Sequence, residues 1–94
     1  MHGEALLESA KERYTSQRNL AEAVDLFKQF LGLNPRHNEA LYLCAVSELH
    51  LNRCHDAVEK LASIGDDYDN KANAMLLLAM ALNKLGSQQV IQVA

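Results

Sequence analysis

The chain repeats itself at an interval of 34 residues. Ala23, in the string NLAEAVDLF, and Ala57, in RCHDAVEKL, sit that far apart inside closely matching segments, and Ile91 falls one period further along. The same offset links Leu7, Leu41 and Met75, then Ala10, Cys44 and Leu78, then Phe27 and Leu61, then Phe30 and Ile64. A unit this short cannot bury its own apolar face alone, so neighbouring units must stack and share a continuous core. That requirement narrows the architecture before any single residue is weighed.

The units read as helices. Ala5, Leu6, Leu7, Ala10 and Tyr14 recur at steps of three and four, the spacing of one helical face. Asn19 precedes LAEAVDLF with Glu22 three residues on, a capping-box arrangement that predicts a second helix over about 20–32. Gly32 and Pro35 are expected to end it, since proline lacks an N–H and restricts its predecessor. Asn38 is the expected cap of a third helix bearing Leu41, Cys44, Ala45 and Leu49, and Asn52 is the expected left-handed turn residue after it. Helix four is predicted over about 55–64 with Gly65 as its stop, and helix five over about 70–85 with Gly86 as its stop. A sixth helix is expected from about Ser87, giving three helical hairpins, the last one short. No alternation of period two or β-branched cluster signals a strand, so the expected class is all-α.

Ninety-four residues make one domain with a modest core and marginal stability. The formal net charge of −3 lacks the basic stripe that a nucleic-acid partner needs. Residues 38–71 carry three basic against seven acidic groups, whereas the last 23 residues hold only Lys84, so charge leaves the C-terminal part almost entirely. The run MLLLAMAL (75–82) is too short to span a bilayer, and the opening MHGEALLESA has no apolar segment of a secretory signal. Cys44 and Cys54 are expected on different faces of one hairpin, hence unbridged, which points to a reducing, cytoplasmic setting.

With the 34-residue unit and its residues in view, the chain resembles the tetratricopeptide repeat (TPR) family, whose unit is two antiparallel helices and a turn. The resemblance covers residues 4–94 as a single domain, with repeats at 4–37 and 38–71 and a partial one at 72–94. The family's large residue early in the first helix falls on Leu7, Leu41 and Met75, and the apolar residue a turn later on Ala10, Cys44 and Leu78. Its small crossing residues fall on Ala45 and Ala79 and on Ala23 and Ala57, with Phe27 and Leu61 in its aromatic-or-leucine place and Pro35 at its terminal proline. Lys11, Ile91 and Asp69 depart from the pattern, and Lys11 implies a loosely packed first helix. The implied fold is a short right-handed solenoid of three hairpins.

The resemblance also implies where a partner would lie. The first helices of each pair line a concave side, which places there Ala5, Glu8, Glu12, Thr15 and Ser16, then Glu39, Tyr42, Val46, Leu49 and His50, then Asn73, Leu76, Met80, Asn83 and Lys84. Tyr42, Val46, Leu49, Leu76 and Met80, with Leu43 and Leu77 beside them, are expected to form an apolar strip edged by Glu8 and Glu12. MLLLAMAL supports a covered surface independently, because a helix apolar all round is buried all round, by a partner or by the sixth helix. The implied function is binding of an apolar or amphipathic helix of another protein. The carboxylate clamp of chaperone-binding relatives is not implied, since its donor places hold Glu8, Glu12, Leu43, Asn73 and Leu77. Two further readings fit the same groove. One is an escort resembling the small TPR-like chaperones of type III secretion, and the other is self-association; an unfinished sixth helix also fits a piece of a longer array.

Other chemistry has little to stand on. His50, Cys54 and His55 lack a fourth ligand and straddle a helix break, so no metal or other cofactor is expected. Asp66 and Asp67 lie in a turn, and no phosphate loop, nucleophile elbow or zinc-binding helix is present, so no enzymatic activity is expected. His2 and His37 read as solvated ends, and Cys44 as a small buried apolar residue.

Overall fold

The computed structural model describes residues 2–16 and 19–93, with side chains described for 4–16 and 19–86. Within them the chain forms five helices and no strand: α1 (His2–Ser16), α2 (Leu20–Leu33), α3 (Asn38–His50), α4 (Cys54–Ser63) and α5 (Lys71–Val93). Each helix packs on the next in sequence, while α1 and α5 also touch α3 more lightly. The result is elongated, with extents of 50 × 30 × 20 Å. Because α2 starts at Leu20 and α4 at Cys54, the 34-residue offset of the sequence becomes an offset between equivalent helices.

Local chemistry explains most boundaries. At the start of α2, Asn19 Oδ1 accepts the Glu22 N–H at 3.3 Å. The Glu22 carboxylate reaches back, but to the Asn19 side-chain amide (2.8 Å) and to Arg13 Nε on α1 (3.0 Å), so the cap also ties α1 to α2. Gly32 lies inside α2, and Asn34 and Pro35 end it. At the end of α3, Asn52 adopts φ 63°. Arg53 N–H then donates to Glu48 O (2.8 Å) and Asn52 N–H to Leu49 O (3.0 Å). These are the two bonds of a Schellman closure, in which the residue beyond the cap takes a left-handed turn.

Three expectations are corrected. Asn38 does not cap α3: His37 does, its Nδ1 accepting the Ala40 N–H at 3.1 Å, and the ring stands edge-on to Phe30 with centroids 4.9 Å apart. His37 is therefore half-buried, where a solvated end was expected. Lys11 lies at the surface, where its ammonium meets Glu39 Oε1 on α3 at 2.7 Å, and Ala10 is the only fully buried residue among those described on α1. Gly86 does not stop helix five; α5 runs on to Val93, so no separate sixth helix and no third hairpin forms. A helical glycine costs only about 1 kcal/mol relative to alanine, and ends a helix when it turns left-handed. No described glycine has positive φ. The side chains of His2 and Ile91 lie outside the described ones.

The core follows the repeat. Ala10, Ala23, Ala40, Cys44, Ala45, Ala57 and Ala74 have no exposed surface, as close helix crossings require, and Phe27, Leu61 and Val24 fill the space between them. Phe30, Leu41 and Ile64 complete one continuous cluster. The loop before α5 is pinned to the second hairpin by Asn38, whose Oδ1 accepts the Gly65 N–H at 2.9 Å and whose amide donates to Asp67 Oδ1 at 3.4 Å. Lys71 adds a bond from its ammonium to Ile64 O, and an ion pair to Asp66 at 3.5 Å.

Candidate functional site

The residues expected to form the groove fall into three groups. Glu8 and Glu12 are exposed on α1. Tyr42, Leu43 and Leu49 on α3 and Leu77 on α5 are half-buried and pack against the core, and Val46 is half-buried as well. Leu76 and Met80 on α5 are the open ones, with 60% and 59% of their surface exposed. Met75 and Leu82 are exposed beside them. Thus MLLLAMAL is not covered on every side: α4 and α3 cover the flank with Ala74 and Ala81, and the opposite flank stands open among the described residues.

This open flank is also uncharged. Between Lys71 and Lys84, α5 carries no ionisable residue, and Lys84 is exposed at its margin. The flank stays open because α4 and α3 both pack on the Ala74–Ala81 side, and no other described helix packs on α5.

An aromatic row borders α3. Tyr42 and Tyr68 have ring centroids 5.8 Å apart. Burial, then the neighbouring Tyr42, pushes the Tyr14 phenol above its ordinary value; burial also pushes Tyr68 up, with Glu39 and Tyr42 adding to it and an Asn70 hydrogen bond opposing it. All three rings are half-buried, and Tyr14 and Tyr68, both pushed up, stay neutral over the physiological range. Tyr14 and Tyr68 were not singled out from sequence as surface residues, and nothing in their spacing distinguishes them from core.

Behind this surface lies a polar cluster that the sequence reading passed over. Glu48 has no exposed surface, yet its Oε2 lies 3.3 Å from Lys60 Nζ and 4.0 Å from Lys28 Nζ, while its Oε1 has no hydrogen-bond partner. Burial raises its carboxyl above the ordinary range, opposed by Lys60 and Lys28, with Asp56 adding to the rise. The adjacent Cys44 thiol is pushed up to about 12, chiefly by burial and then by Glu48. Both cysteines are free and buried. Such a thiol is an inert packing group.

No group of three or more His, Cys, Asp or Glu side chains is placed to hold a metal among the described residues. His50 Nδ1 is engaged with Val46 O at 2.9 Å, Cys54 is buried and His55 is exposed. No described helix is long and apolar enough to cross a membrane. In comparisons with known proteins, no family model, no curated protein and no solved structure matches the chain.

Proposed function

We propose that the chain is a protein-binding module of TPR type, holding an apolar or amphipathic helix of another protein against the first helices of its repeats. The 34-residue stagger of α2 and α4 and the packing of each helix on its sequence neighbour support the repeat reading. One observation carries the binding reading: the uncharged flank of α5 presents Met75, Leu76, Met80 and Leu82 to solvent together. Soluble domains seldom leave several large apolar side chains open on one helix unless another surface covers them. The two methionines add polarisable, adaptable contacts, suited to packing on a second helix.

The binding free energy comes from removing that apolar area from water, at roughly 25 cal/mol per Å². The test is affinity capture from native lysate by wild type beside Leu76→Asp/Met80→Asp, with far-UV circular dichroism on both. Both positions are exposed, so the double variant is expected to stay folded and to lose the specific partner. Retention of the same partner by the folded variant rejects the proposal.

A further inference from the structure

We propose that the helix covering α5 is α5 of a second copy, laid antiparallel; this rests on the reading of that flank as a docking surface. The spacing on the flank points there. Asn73, Leu76, Met80 and Asn83 are all exposed and follow one another at steps of three, four and three. That is the seam spacing of paired helices. The order also reads alike from either end, as amide, apolar, apolar, amide.

In an antiparallel pair centred on Leu78, Leu76 meets Met80 of the second copy, and Asn73 meets Asn83 of the second copy. An amide carries both a donor and an acceptor, so two of them satisfy one another, and one polar pair at each end fixes the register. Ala72 and Ala79 flank the seam, are exposed, and let the two backbones approach closely. Antiparallel alignment sets Lys84 beside Ala72 of the second copy, whereas parallel alignment would set Lys84 against its own equivalent. It also opposes the two helix dipoles.

Charge selects this pairing over a head-to-tail stack. The outer face of α1 exposes Glu4, Glu8 and Glu12. Docking it on α5 would strip water from three carboxylates with no basic residue opposite on α5 short of its margins. An α5-to-α5 pair buries no charge and closes on itself as a twofold dimer. Leu76 and Met80 form the seam, while Met75 and Leu82 lie more than a third of a turn round the helix and stay outside it. With the flanking alanines and asparagines the buried area falls short of a standard stable interface, so a weak dimer is expected.

Sedimentation equilibrium from about 1 µM to about 200 µM reads this directly. The wild-type mass is expected to rise from 10.5 kDa toward twice that value. Leu76→Asp/Met80→Asp is expected to remain a monomer with unchanged helix content. Asn73→Lys/Asn83→Glu is expected to keep the dimer, because the antiparallel register sets each introduced lysine against an introduced glutamate, and Asn73→Lys/Asn83→Lys is expected to lose it. A wild-type monomer throughout overturns the second-copy proposal while leaving a heterologous helix as occupant, which the lysate capture decides. A dimer that survives in folded Leu76→Asp/Met80→Asp overturns the α5-to-α5 pair, and the lysate capture alone decides the heterologous reading. Loss of the dimer in the lysine–glutamate variant overturns the antiparallel register.

Discussion

Replacing Glu48 by glutamine should stabilise this protein at neutral pH and do so less as the pH falls. The carboxylate is fully enclosed, one oxygen has no partner, and the other lies 3.3 Å from Lys60 Nζ. At that distance the Lys60 attraction is about 5 kcal/mol for an effective dielectric near 20. Taking a carboxylate and an ammonium out of water costs several kcal/mol for each ion. Lys28, 4.0 Å away and about half exposed, adds little to the attraction. Desolvation is the larger effect, since the Glu48 carboxyl binds its proton more tightly here than an ordinary carboxyl does.

The sign follows from that direction. A carboxyl whose folded-state pKa lies above its unfolded value contributes stability that is complete below the unfolded value and disappears as pH rises through the folded one. Glutamine keeps the neutral shape at every pH. Its advantage should therefore be small near pH 4 and grow toward pH 8, by about 1.4 kcal/mol for every tenfold by which burial strengthens proton binding. For a domain of this size each kcal/mol moves the melting temperature by about 4–8 °C. Urea unfolding followed by far-UV circular dichroism, at several pH values in that range, measures the gap. A glutamine variant less stable than wild type near pH 8, or a gap that does not change with pH, refutes the dominance of desolvation.

Asn38→Ala should lose about 1–2 kcal/mol, since it removes the acceptor of the Gly65 N–H, and thermal melts should show this without any change in the α2–α3 turn that His37 caps. Asn52→Val should cost about 1–2 kcal/mol because a β-branched residue resists φ 63°, whereas Asn52→Gly should be neutral or better; equal melts for the two would contradict the Schellman closure. Gly86→Ala should raise stability by about 0.5–1 kcal/mol, because the added Cβ meets nothing within 4 Å and the helix continues through it; a loss would show that Gly86 closes the helix after all. Cys44, pushed up to about 12, should resist iodoacetamide in the native state and label at the rate of unfolding, which mass spectrometry of quenched samples tests.

What the sequence disclosed, and what it hid, divides along physical lines. The apolar repeat and the Asn52 turn depend on residue type at fixed spacing, so they were legible. Capping was half legible. Asn38 and His37 are both able to accept the Ala40 N–H, and only the position of Gly65, 27 residues away, decides that Asn38 turns outward and leaves the cap to His37. Gly86 misled because a helical glycine and a terminating one are the same letter, and φ alone separates them. Glu48 did carry a signal: it lies 34 residues from Tyr14 and from Leu82, a place the repeat reserves for large side chains. Its partners Lys28 and Lys60 share no such register, so the ion cluster could be found only in three dimensions.

The position of the open flank follows from an asymmetry between the two ends of the array. Both α1 and α5 are flanked by a helix on one side only, and both therefore keep an outer face. On α1 that face carries Glu4, Glu8 and Glu12, and water satisfies it. On α5 it carries Met75, Leu76, Met80 and Leu82, and water does not. Interior helices face the same choice and resolve it against their neighbours, which is why Leu41 is buried at the place equivalent to exposed Met75. Continuing α5 as one unbroken helix, in place of a sixth helix folded back, is thus what leaves apolar surface unmatched. The open flank exists because α5 runs on where the repeat would turn, and any change that restored that turn should bury Leu82 and, on the reading proposed above, weaken association.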